Sequence, residues 1–514
     1  MLKQTLTLGL ALSPLFAFAS AKVDPALATF VRSESLRTQK VIVLLDAAAG
    51  PEVAPRRYDR VRLMSYLRQR ATRASRQLET FLSREGALNR GVRIRQVFPS
   101  SLSALVEVTP AGLQVLARAP NVTKIYDNHK MGFEPPRNVR PVSRFTESEA
   151  VPYHFETSGL NKLIRDFPEY AGQGVVIGQV DTGVDGKHPA LQGKVIAFYD
   201  GALGKRTDQP RDTGSHGTHT AGTMVGGSRT GENIIGVAPE AKLVAAAALG
   251  SWEEELKGME FMLDPDSNPN TADQPRLVSN SWNSGSAPDQ EPFYRAISTW
   301  EAAGILPVFS AGNSGPGAKT ITPPHEHPEA FAVAATGEGQ KIASFSSRGP
   351  GIFRGQETEK PDVAAPGVDV ISAVPGGRYS KMSGTSMAAP HVAGAAALVI
   401  QANPDLNPAQ IRMVLIKSSI PMNETGARMN RPKWNPVFGH GHLDMAAAVK
   451  LALDIKDGRS PFPRETNRFF VSPRSLEVEA LRTDFPQRTI DDSWELVRQS
   501  ADAPTAWMSL DALR

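Results

Sequence analysis

The fold is decided by the stretch Gly384-Thr385-Ser386-Met387-Ala388-Ala389-Pro390-His391-Val392-Ala393-Gly394, in which a turn of small residues leads into a helix. The run that follows, 393–400, is almost entirely apolar, which is typical of a buried helix. Ser386 then stands at the helix start, with its backbone N–H and the positive helix end directed towards whatever its hydroxyl attacks. A lone serine is a poor nucleophile, so this interpretation requires a base and a group that orients the base.

Two stretches upstream supply candidates for those groups. The first, Gly174-Val175-Val176-Ile177-Gly178-Gln179-Val180-Asp181-Thr182-Gly183, predicts a short buried strand that ends at Asp181. The second, Asp212-Thr213-Gly214-Ser215-His216-Gly217-Thr218-His219-Thr220-Ala221-Gly222, holds His216 in a glycine turn at a helix start. An imidazole suits proton transfer near neutral pH, and a carboxylate at the end of a buried strand requires a partner.

Other polar residues near these positions have simpler interpretations. His219 lies one helical turn after His216, and His391 lies inside the serine helix, so we expect both to pack or hydrogen-bond within the fold. A metal pair of His216 and His219 stays open at this spacing, although no third ligand with clear spacing accompanies it. Asp185 follows the glycine turn, and we expect it in solvent or in a binding loop.

A fourth stretch, Phe309-Ser310-Ala311-Gly312-Asn313-Ser314-Gly315, carries an asparagine that would ordinarily form a turn. Together, however, the four stretches resemble the subtilisin-like serine proteases (subtilases, peptidase S8), whose acid, base and nucleophile occur in this order. The resemblance covers roughly residues 155–450 and a propeptide before them. It implies that Ser386 forms an acyl-enzyme, that His216 is the general base and that Asp181 orients it. It also implies that the Asn313 amide and the Ser386 backbone N–H stabilise the oxyanion.

The resemblance further implies a substrate cleft at Ser281, Trp282, Asn283 and Gly312. In the family, the backbone at this place pairs with an extended peptide by strand addition. Many subtilases have a Leu-Gly pair where this chain has Trp282-Asn283, so we expect reshaped pockets on the acyl side of the bond. These features look most like the bacillopeptidase F branch of the family.

Composition bounds the class of protein. A chain of 514 residues predicts two or more domains, and 40% hydrophobic with 21% charged residues is typical of a globular protein. Residues 22–130 contain 19 Lys/Arg and 9 Asp/Glu, whereas residues 131–514 contain 37 and 44. The basic charge therefore belongs to the front segment and does not indicate nucleic-acid binding. The opposite signs suit a front segment that docks on the rest.

Residues 1–21 predict a signal peptide. They contain Lys3, an apolar run over 6–18 and the small-residue site Ala19-Ser20-Ala21, with cleavage expected after Ala21. A cytosolic N-terminal helix is the alternative. No later segment has the roughly 20 apolar residues that span a bilayer, so we expect no membrane association after signal cleavage. The chain has no cysteine, so a secreted, extracellular form depends on a large core, on bound ions or on both.

Residues 22–130 predict a small α+β, ferredoxin-like domain. Apolar or alternating strands are expected at 41–45, 102–108 and 122–126, and a helix with arginines on its outer face at 63–81. Thr109-Pro110 predicts the start of a second helix. This order resembles the inhibitory propeptide of subtilases, which assists folding and is then removed. A permanent substrate-recruiting or structural domain is the alternative.

The rest of the chain predicts a linker at 131–154 that contains the processing region, a catalytic domain at 155–454 and a C-terminal extension at 455–514. In the catalytic domain, strands at 175–181, 242–247, 277–281, 306–310 and 330–336 alternate with helical stretches. Such alternation predicts an α/β fold, a subtilisin-like parallel sheet sandwiched by helices, with its ligands at the strand ends. The extension is rich in charge and proline, and an accessory domain, a late-cleaved piece and disorder all stay open.

Calcium is common in subtilases, and Asp264, Asp266, Asn268 and Asn270 offer oxygen atoms at every second position. Their spacing resembles the start of an EF-hand loop, but the sixth and twelfth positions are prolines, so an ordinary polar turn is the alternative. The pairs His325/His327 and His440/His442 are too close-set for a metal site and are expected in loops.

We therefore predict a secreted serine endopeptidase made as an autoprocessed zymogen, which cleaves extended peptides and uses no organic cofactor. Its expected partners are its substrates and its own propeptide in cis, and we expect a monomer. Two other functions stay open: a subtilase-shaped binding protein, and an esterase or other acyl transferase with the same triad. The absence of a Gly-x-Ser-x-Gly elbow at Ser386 argues against an α/β-hydrolase.

Overall fold

The computed structural model describes residues 22–34, 36–48, 57–132, 135–142, 152–228, 235–285, 289–430 and 433–460. They form two compact units. The smaller unit holds the described residues of Met1–Pro51 and Leu67–His129, and the larger holds those of Glu52–Tyr66 and Lys130–Arg514. The predicted signal peptide and nearly all of the predicted extension lie outside the described residues.

The smaller unit has a ferredoxin-like β-α-β-β-α-β order. A short helix, α1 (Ala28–Val31), precedes this order, which consists of β1 (Gln39–Leu45), α2 (Arg60–Arg84), β2 (Val92–Phe98), β3 (Ser103–Val108), α3 (Pro110–Leu116) and β4 (Val122–Asp127). The first residues of α2, 60–66, belong to the larger unit. The four strands form one antiparallel sheet in the order β2-β3-β1-β4. Strand β2 was not expected, because it is an edge strand in which arginines interrupt the apolar residues.

The core of the smaller unit explains why these segments order. Ala71, Ala74 and Leu78, on one face of α2, pack with the buried side chains of β1 and β3. At the start of α3, the Thr109 hydroxyl accepts a hydrogen bond from the Gly112 N–H at 3.1 Å, as the Thr-Pro pair predicted.

The larger unit is built on an eight-stranded sheet in the order β15-β12-β11-β10-β6-β9-β7-β8. The strands are β6 (Val176–Asp181), β7 (Val195–Asp200), β8 (Lys205–Thr207), β9 (Lys242–Ala247), β10 (Leu277–Asn280), β11 (Leu306–Ser310), β12 (Phe331–Thr336) and β15 (Val363–Pro366). All neighbouring pairs are parallel except β7 and β8. The five predicted strands are confirmed, and β7, β8 and β15 are additional.

Helices flank this sheet. They are α4 (Tyr153–Thr157), α5 (Leu160–Asp166), α6 (His216–Val225), α7 (Trp252–Leu263), α8 (Glu291–Ala302), α9 (Thr385–Ala402), α10 (Pro408–Ser418) and α11 (Met445–Lys456). Successive residues of β6 show that α6 and α7 lie on opposite faces. The Gln179 side chain contacts Gly217 and Thr220 of α6, whereas a side chain on Gly178 would meet Met262 of α7. The predicted parallel sheet between helices is therefore confirmed.

Helix α9 is the most buried element of the larger unit. Nearly every residue from Thr385 to Ala402 is buried, and the apolar side chains belong to the main core cluster. It packs against α6, α11 and strands β10, β11 and β12. An all-round apolar helix of this kind requires cover on every side, which the sheet and neighbouring helices supply.

Two smaller sheets complete the larger unit. Strands β5 (Arg137–Val142), β16 (Val370–Val374) and β17 (Arg378–Ser383) form an antiparallel sheet in the order β16-β17-β5, and β13 (Gly351–Phe353) pairs with β14 (Gln356–Thr358). Strand β5 lies in the predicted linker, which has no local strand pattern. Its structure comes from pairing with β17. No helix in the described part of the chain is long and apolar enough to span a bilayer.

Candidate active site

Asp181 and His216 are joined directly. Asp181 is the last residue of β6 and His216 the first of α6, and both side chains are buried. The His216 Nδ1 lies 2.7 Å from Asp181 Oδ1. Because the carboxylate only accepts at this contact, Nδ1 carries the proton, and Nε2 is the ring nitrogen that can act as a base.

Further hydrogen bonds hold the Asp181 carboxylate in place. Its Oδ1 accepts from the Thr182 N–H at 2.7 Å, and its Oδ2 accepts from the Thr220 hydroxyl at 3.1 Å. The Thr220 hydroxyl oxygen accepts a hydrogen bond from Gln179 Nε2 at 2.7 Å. The Thr220 proton therefore points away from Gln179 and can be donated to Asp181. A buried charge is tolerated when its oxygens are satisfied in this way.

Asp212 organises the start of α6. Its Oδ1 accepts from the Thr182 hydroxyl at 2.7 Å and the Gly214 N–H at 2.8 Å, and its Oδ2 accepts from the Thr218 N–H at 2.8 Å. A carboxylate at a helix start is also favoured by the helix dipole. Gly217 is needed here because an added Cβ would lie 2.0 Å from the Gly183 carbonyl oxygen. These contacts place His216 against the end of β6.

Ser386 lies in the first turn of α9, and Pro390 changes the backbone around it. Proline has no N–H, so it cannot donate to the carbonyl four residues earlier, which is that of Ser386. That carbonyl instead accepts from the Ser281 hydroxyl at 3.1 Å, while the Ser386 hydroxyl lies 3.5 Å from the Ser281 carbonyl oxygen. Ser386 is thus tied to the residue after β10. Helix α9 also packs against α6, which carries His216.

Asn313 is fixed beside Ser386. Its Oδ1 accepts from both the backbone N–H and the hydroxyl of Thr385, each at 2.9 Å, so Nδ2 is the end of the amide that faces away from Thr385. A Cβ built on Gly384 would lie 3.7 Å from Asn313 Nδ2 and 3.6 Å from the Ser386 backbone nitrogen. The Asn313 amide nitrogen and the Ser386 backbone nitrogen therefore both lie within 4 Å of one point beside Gly384.

Gly312 supports this arrangement. Its φ is +99°, and an added Cβ would lie 2.8 Å from the Ser347 and Thr322 hydroxyl oxygens, so only glycine fits. The Gly312 N–H donates to the Thr385 hydroxyl at 3.2 Å. Thr385, the residue that precedes Ser386, is therefore hydrogen-bonded to both Gly312 and Asn313.

The backbone at Asn283 pairs with an extended segment of the same chain. The Gly132 N–H donates to the Asn283 carbonyl at 3.0 Å, and the Asn283 N–H donates to the Gly132 carbonyl at 3.1 Å. Lys130 forms an antiparallel bridge with Ser251. The Trp282 ring is buried between Phe293 and Phe309, so it belongs to an aromatic cluster next to the paired backbone of Asn283.

A second segment pairs with the strand that leads to Ser386. Strand β5 runs antiparallel to β17, and Arg137 is the partner of Ser383, three residues before Ser386. The Arg137 guanidinium donates to the Asn313 carbonyl at 3.3 Å. The described residues on both sides of the 133–134 gap thus lie along the edges that meet at Ser386.

The other histidines near the site are engaged within the fold. His219 Nε2 donates to the Val370 and Ser380 carbonyls, at 3.0 and 3.1 Å, so His216 and His219 do not form a metal pair. His391 Nδ1 donates to the Met387 carbonyl at 2.8 Å. Burial lowers the pKa of His219 to about 3 and that of His391 to about 4, so both are neutral near pH 7. Asp185 accepts from the Lys187 and Gly376 N–H groups and shapes a turn.

The predicted calcium residues do not share a common centre. Asp266 accepts from the Asn268 N–H at 2.8 Å, Asn268 accepts from the Asn270 N–H at 3.2 Å, and Asp264 lies 3.5 Å from the Arg60 guanidinium. Within the described residues, no three His, Cys, Asp or Glu side chains converge as a metal site requires. These four residues therefore do not fit a calcium ion. Of the close-set histidines, His325, His327 and His442 are loop residues but are buried.

Three supporting residues were missed from the sequence: Asp212, Thr220 and Thr385. Asp212 lies four residues before the start of α6, outside the N-cap position that Ser215 occupies, so the capping pattern did not identify it. Thr220 lies one helical turn after His216, which brings it to the same face of α6. Nothing in the local sequence distinguishes Thr385, because its partner Asn313 is distant in the chain.

The chain is similar to several known proteins. Residues 172–441 match the profile of the subtilase family, peptidase S8. Bacillopeptidase F of Bacillus subtilis is 38% identical over 314 residues, which cover 55% of this chain but 21% of that protein. Serine protease AprX of Bacillus subtilis is 33% identical over 343 residues, which cover 60% of this chain and 72% of that protein. Subtilisin Savinase of Lederbergia lenta is 34% identical over 284 residues, 54% of this chain and 92% of that protein.

A solved structure is similar in fold. It is fervidolysin from Fervidobacterium pennivorans, described as a keratinolytic enzyme related to subtilisin, with a TM-score of 0.57 and 23% identity. The match covers 84% of this chain and 62% of that one. At this identity it supports the fold alone.

Proposed function

The chain belongs to the subtilase family, and we propose that it is a secreted serine endopeptidase made as a zymogen that processes itself. The observation that carries the proposal is the 2.7 Å bond between Asp181 and His216 on helix α6, against which α9 presents Ser386 in its first turn. The reaction needs only side chains and water, so the proposal includes no organic cofactor.

The proposed reaction begins when Ser386 Oγ attacks the scissile carbonyl carbon. His216 Nε2 takes the hydroxyl proton, and the new C–O bond leaves an oxyanion. His216 then gives that proton to the leaving amine as the C–N bond breaks, which leaves an acyl-enzyme on Ser386. Water repeats the sequence with His216 as base and releases the acid. Asp181 keeps the imidazole in the required tautomer throughout and stabilises the imidazolium.

Asn313 and the Ser386 backbone N–H would stabilise the oxyanion. They are preorganised, since Thr385 holds the amide oxygen of Asn313 and the helix holds the Ser386 N–H. A donor of this kind lowers the activation free energy by on the order of 3 kcal/mol. The first turn of α9 adds the positive end of the helix dipole.

The proposed substrate is an extended polypeptide. In this chain, Gly132 pairs with Asn283, two residues after the Ser281 that contacts Ser386, and β5 pairs with β17, which ends three residues before Ser386. Two pairing edges favour a peptide chain over a small ester, which would engage neither edge. The same pairing supports self-processing, because the chain's own segment lies along the substrate path. We propose a monomer that holds this segment in cis.

A fluorophosphonate probe tests the proposal. We expect the processed wild type to react with the probe and to cleave casein, and Ser386→Ala to lose probe labelling, casein cleavage and self-processing. Ser418→Ala is the control, since its hydroxyl donates only to the Leu415 carbonyl at the end of α10, and it should behave as wild type. Labelling of Ser386→Ala at the wild-type level would refute the assignment of the nucleophile. Wild type that reacts with the probe and cleaves esters but no peptide would refute the endopeptidase.

A further inference from the structure

Residues 57–66 precede the predicted processing region, yet they belong to the larger unit. Two arginines in this segment, Arg57 and Arg60, each contact a different part of that unit. Tyr58 lies between them, and its N–H donates to the Ala302 carbonyl at 2.8 Å. We call Arg57, Tyr58 and Arg60 the arginine anchor.

The first contact is a pair of carboxylates. The Arg57 guanidinium lies 2.7 Å from Glu301 Oε2 and 2.8 Å from Glu329 Oε1. The Tyr58 hydroxyl donates to Glu301 Oε1 at 3.2 Å. The Glu301 side chain is only 7% exposed, so its charge is poorly compensated by water and depends on these partners.

The second contact is the loop that the sequence suggested for calcium. Arg60 donates from Nε to the Leu263 carbonyl at 3.0 Å and from Nη1 to the Pro269 and Thr271 carbonyls, at 3.2 and 3.0 Å. Its Nη2 lies 3.5 Å from Asp264 Oδ1. The Arg60 side chain is 10% exposed. A planar guanidinium with five donors suits spaced oxygen acceptors, whereas calcium requires six to eight oxygens around one point.

We propose that this loop is a guanidinium receptor rather than a calcium site, and that the arginine anchor keeps the N-terminal fragment on the catalytic unit after the chain is cut. The second part rests on the proposed self-processing. Cleavage between 130 and 142 would leave Arg57 and Arg60 on one fragment and their acceptors on the other. The anchor would then be a noncovalent link remote from Ser386, and its ionic half would weaken with salt.

The segment also offers a matched control. Arg62 is 79% exposed, and its ion pair is with Asp59 of the same segment, at 3.5 Å. It therefore carries the same charge as Arg57 and Arg60 without reaching their acceptors. Removing its charge tests whether net charge alone holds the segment.

The receptor is tested without catalysis in full-length Ser386→Ala protein, by hydrogen–deuterium exchange over residues 57–66. We expect Arg57→Gln/Arg60→Gln to raise the exchange rate of this segment at least tenfold, and Arg62→Gln to leave it within twofold. Unchanged exchange in the double variant would refute the anchor. If the double variant unfolds, raising NaCl from 0.1 to 1 M in the Ser386→Ala protein replaces it: faster exchange supports the anchor, and unchanged exchange refutes it. Millimolar calcium should leave the exchange unchanged, and release of the segment by calcium would overturn the receptor assignment.

Retention of the fragment is tested in catalytically competent protein. After the cut, size-exclusion chromatography of the wild type at 0.1 M NaCl should elute both fragments together, and the double variant should separate them. Separation in the wild type, or equal retention in both, would refute the anchor's role after cleavage. A wild type that is never cut refutes self-processing instead, and the exchange experiment still decides the receptor.

Discussion

Thr385→Val removes a side chain that holds the proposed oxyanion donors in place, and it leaves the donors themselves unchanged. The Thr385 hydroxyl donates to Asn313 Oδ1 at 2.9 Å and accepts from the Gly312 N–H at 3.2 Å. Valine keeps the shape of the side chain but removes both contacts. The bond from the Thr385 backbone N–H to Asn313 remains, so the amide keeps one of its two anchors.

The magnitude follows from these contacts. The variant loses one hydrogen bond of about 1 kcal/mol and leaves the Gly312 N–H without its hydroxyl acceptor, at about 1–3 kcal/mol. We expect the free energy of unfolding to fall by about 2–4 kcal/mol. An oxyanion donor lowers the activation free energy by about 3 kcal/mol. If misorientation of the Asn313 amide removes a third to a half of that stabilisation, kcat falls about 5- to 15-fold. KM should change less than twofold, because the donors act on the transition state.

The assay is steady-state hydrolysis of a chromogenic peptide, with thermal unfolding of each variant. Thr385→Ser keeps the hydroxyl and should stay within about threefold of wild-type kcat. In an Asn313→Ala background, Thr385→Val should have little further effect on kcat, since the donor it supports is absent. A folded Thr385→Val protein with wild-type kcat, or full additivity with Asn313→Ala, would refute the reasoning.

Two further predictions concern stability and the base. Burial lowers the pKa of five histidines to about 3 or 4. They stay neutral in the folded protein, but below about pH 6.5 each gains a proton on unfolding. Together they lower the free energy of unfolding by on the order of 7 kcal/mol for each pH unit of acidification. The five histidines are His219, His325, His327, His391 and His442. Urea unfolding at pH 7 and 5.5 should show a large drop, only partly offset by Glu326, whose pKa burial raises to about 7, and equal stability at both pH values would contradict it. Asp212→Ala should lower stability by about 2–3 kcal/mol and kcat at least tenfold, because His216 loses its fixed helix start; Asp212→Asn should lie between, and an Asp212→Ala enzyme with wild-type kcat would contradict this role.

Local sequence predicted the elements that carry their own pattern. Strand β6 is rich in β-branched residues and ends at Asp181, and α9 is apolar over residues 393–400, so both could be recognised without the fold. Elements stabilised by distant partners could not. Strand β5 has an exposed, arginine-containing sequence and is ordered by β17, more than 200 residues away. Strand β2 was missed for a similar reason.

The candidate site divides in the same way. Asp181, His216, Ser386 and Asn313 stand in motifs whose resemblance to a family could be read directly. Their supports could not be read, since the bond from Thr385 to Asn313 spans 72 positions and that from Thr220 to Asp181 spans 39. The calcium candidates show the same limit, because the spacing of oxygen atoms along a loop does not show where they point. In the fold, that loop faces Arg60.

The pairing of β5 with β17 bears on whether the self-cut is reversible. If the bond between the Asn283-paired segment and β5 is broken, the liberated amine stays tethered by the strand bonds beside the acyl group. A tethered amine has a high effective concentration and competes with water for the acyl-enzyme. Resealing would then be frequent, and the cut would become permanent only when β5 peels from β17. The lifetime of one short strand pairing, rather than the chemistry of the triad, would set the pace of maturation.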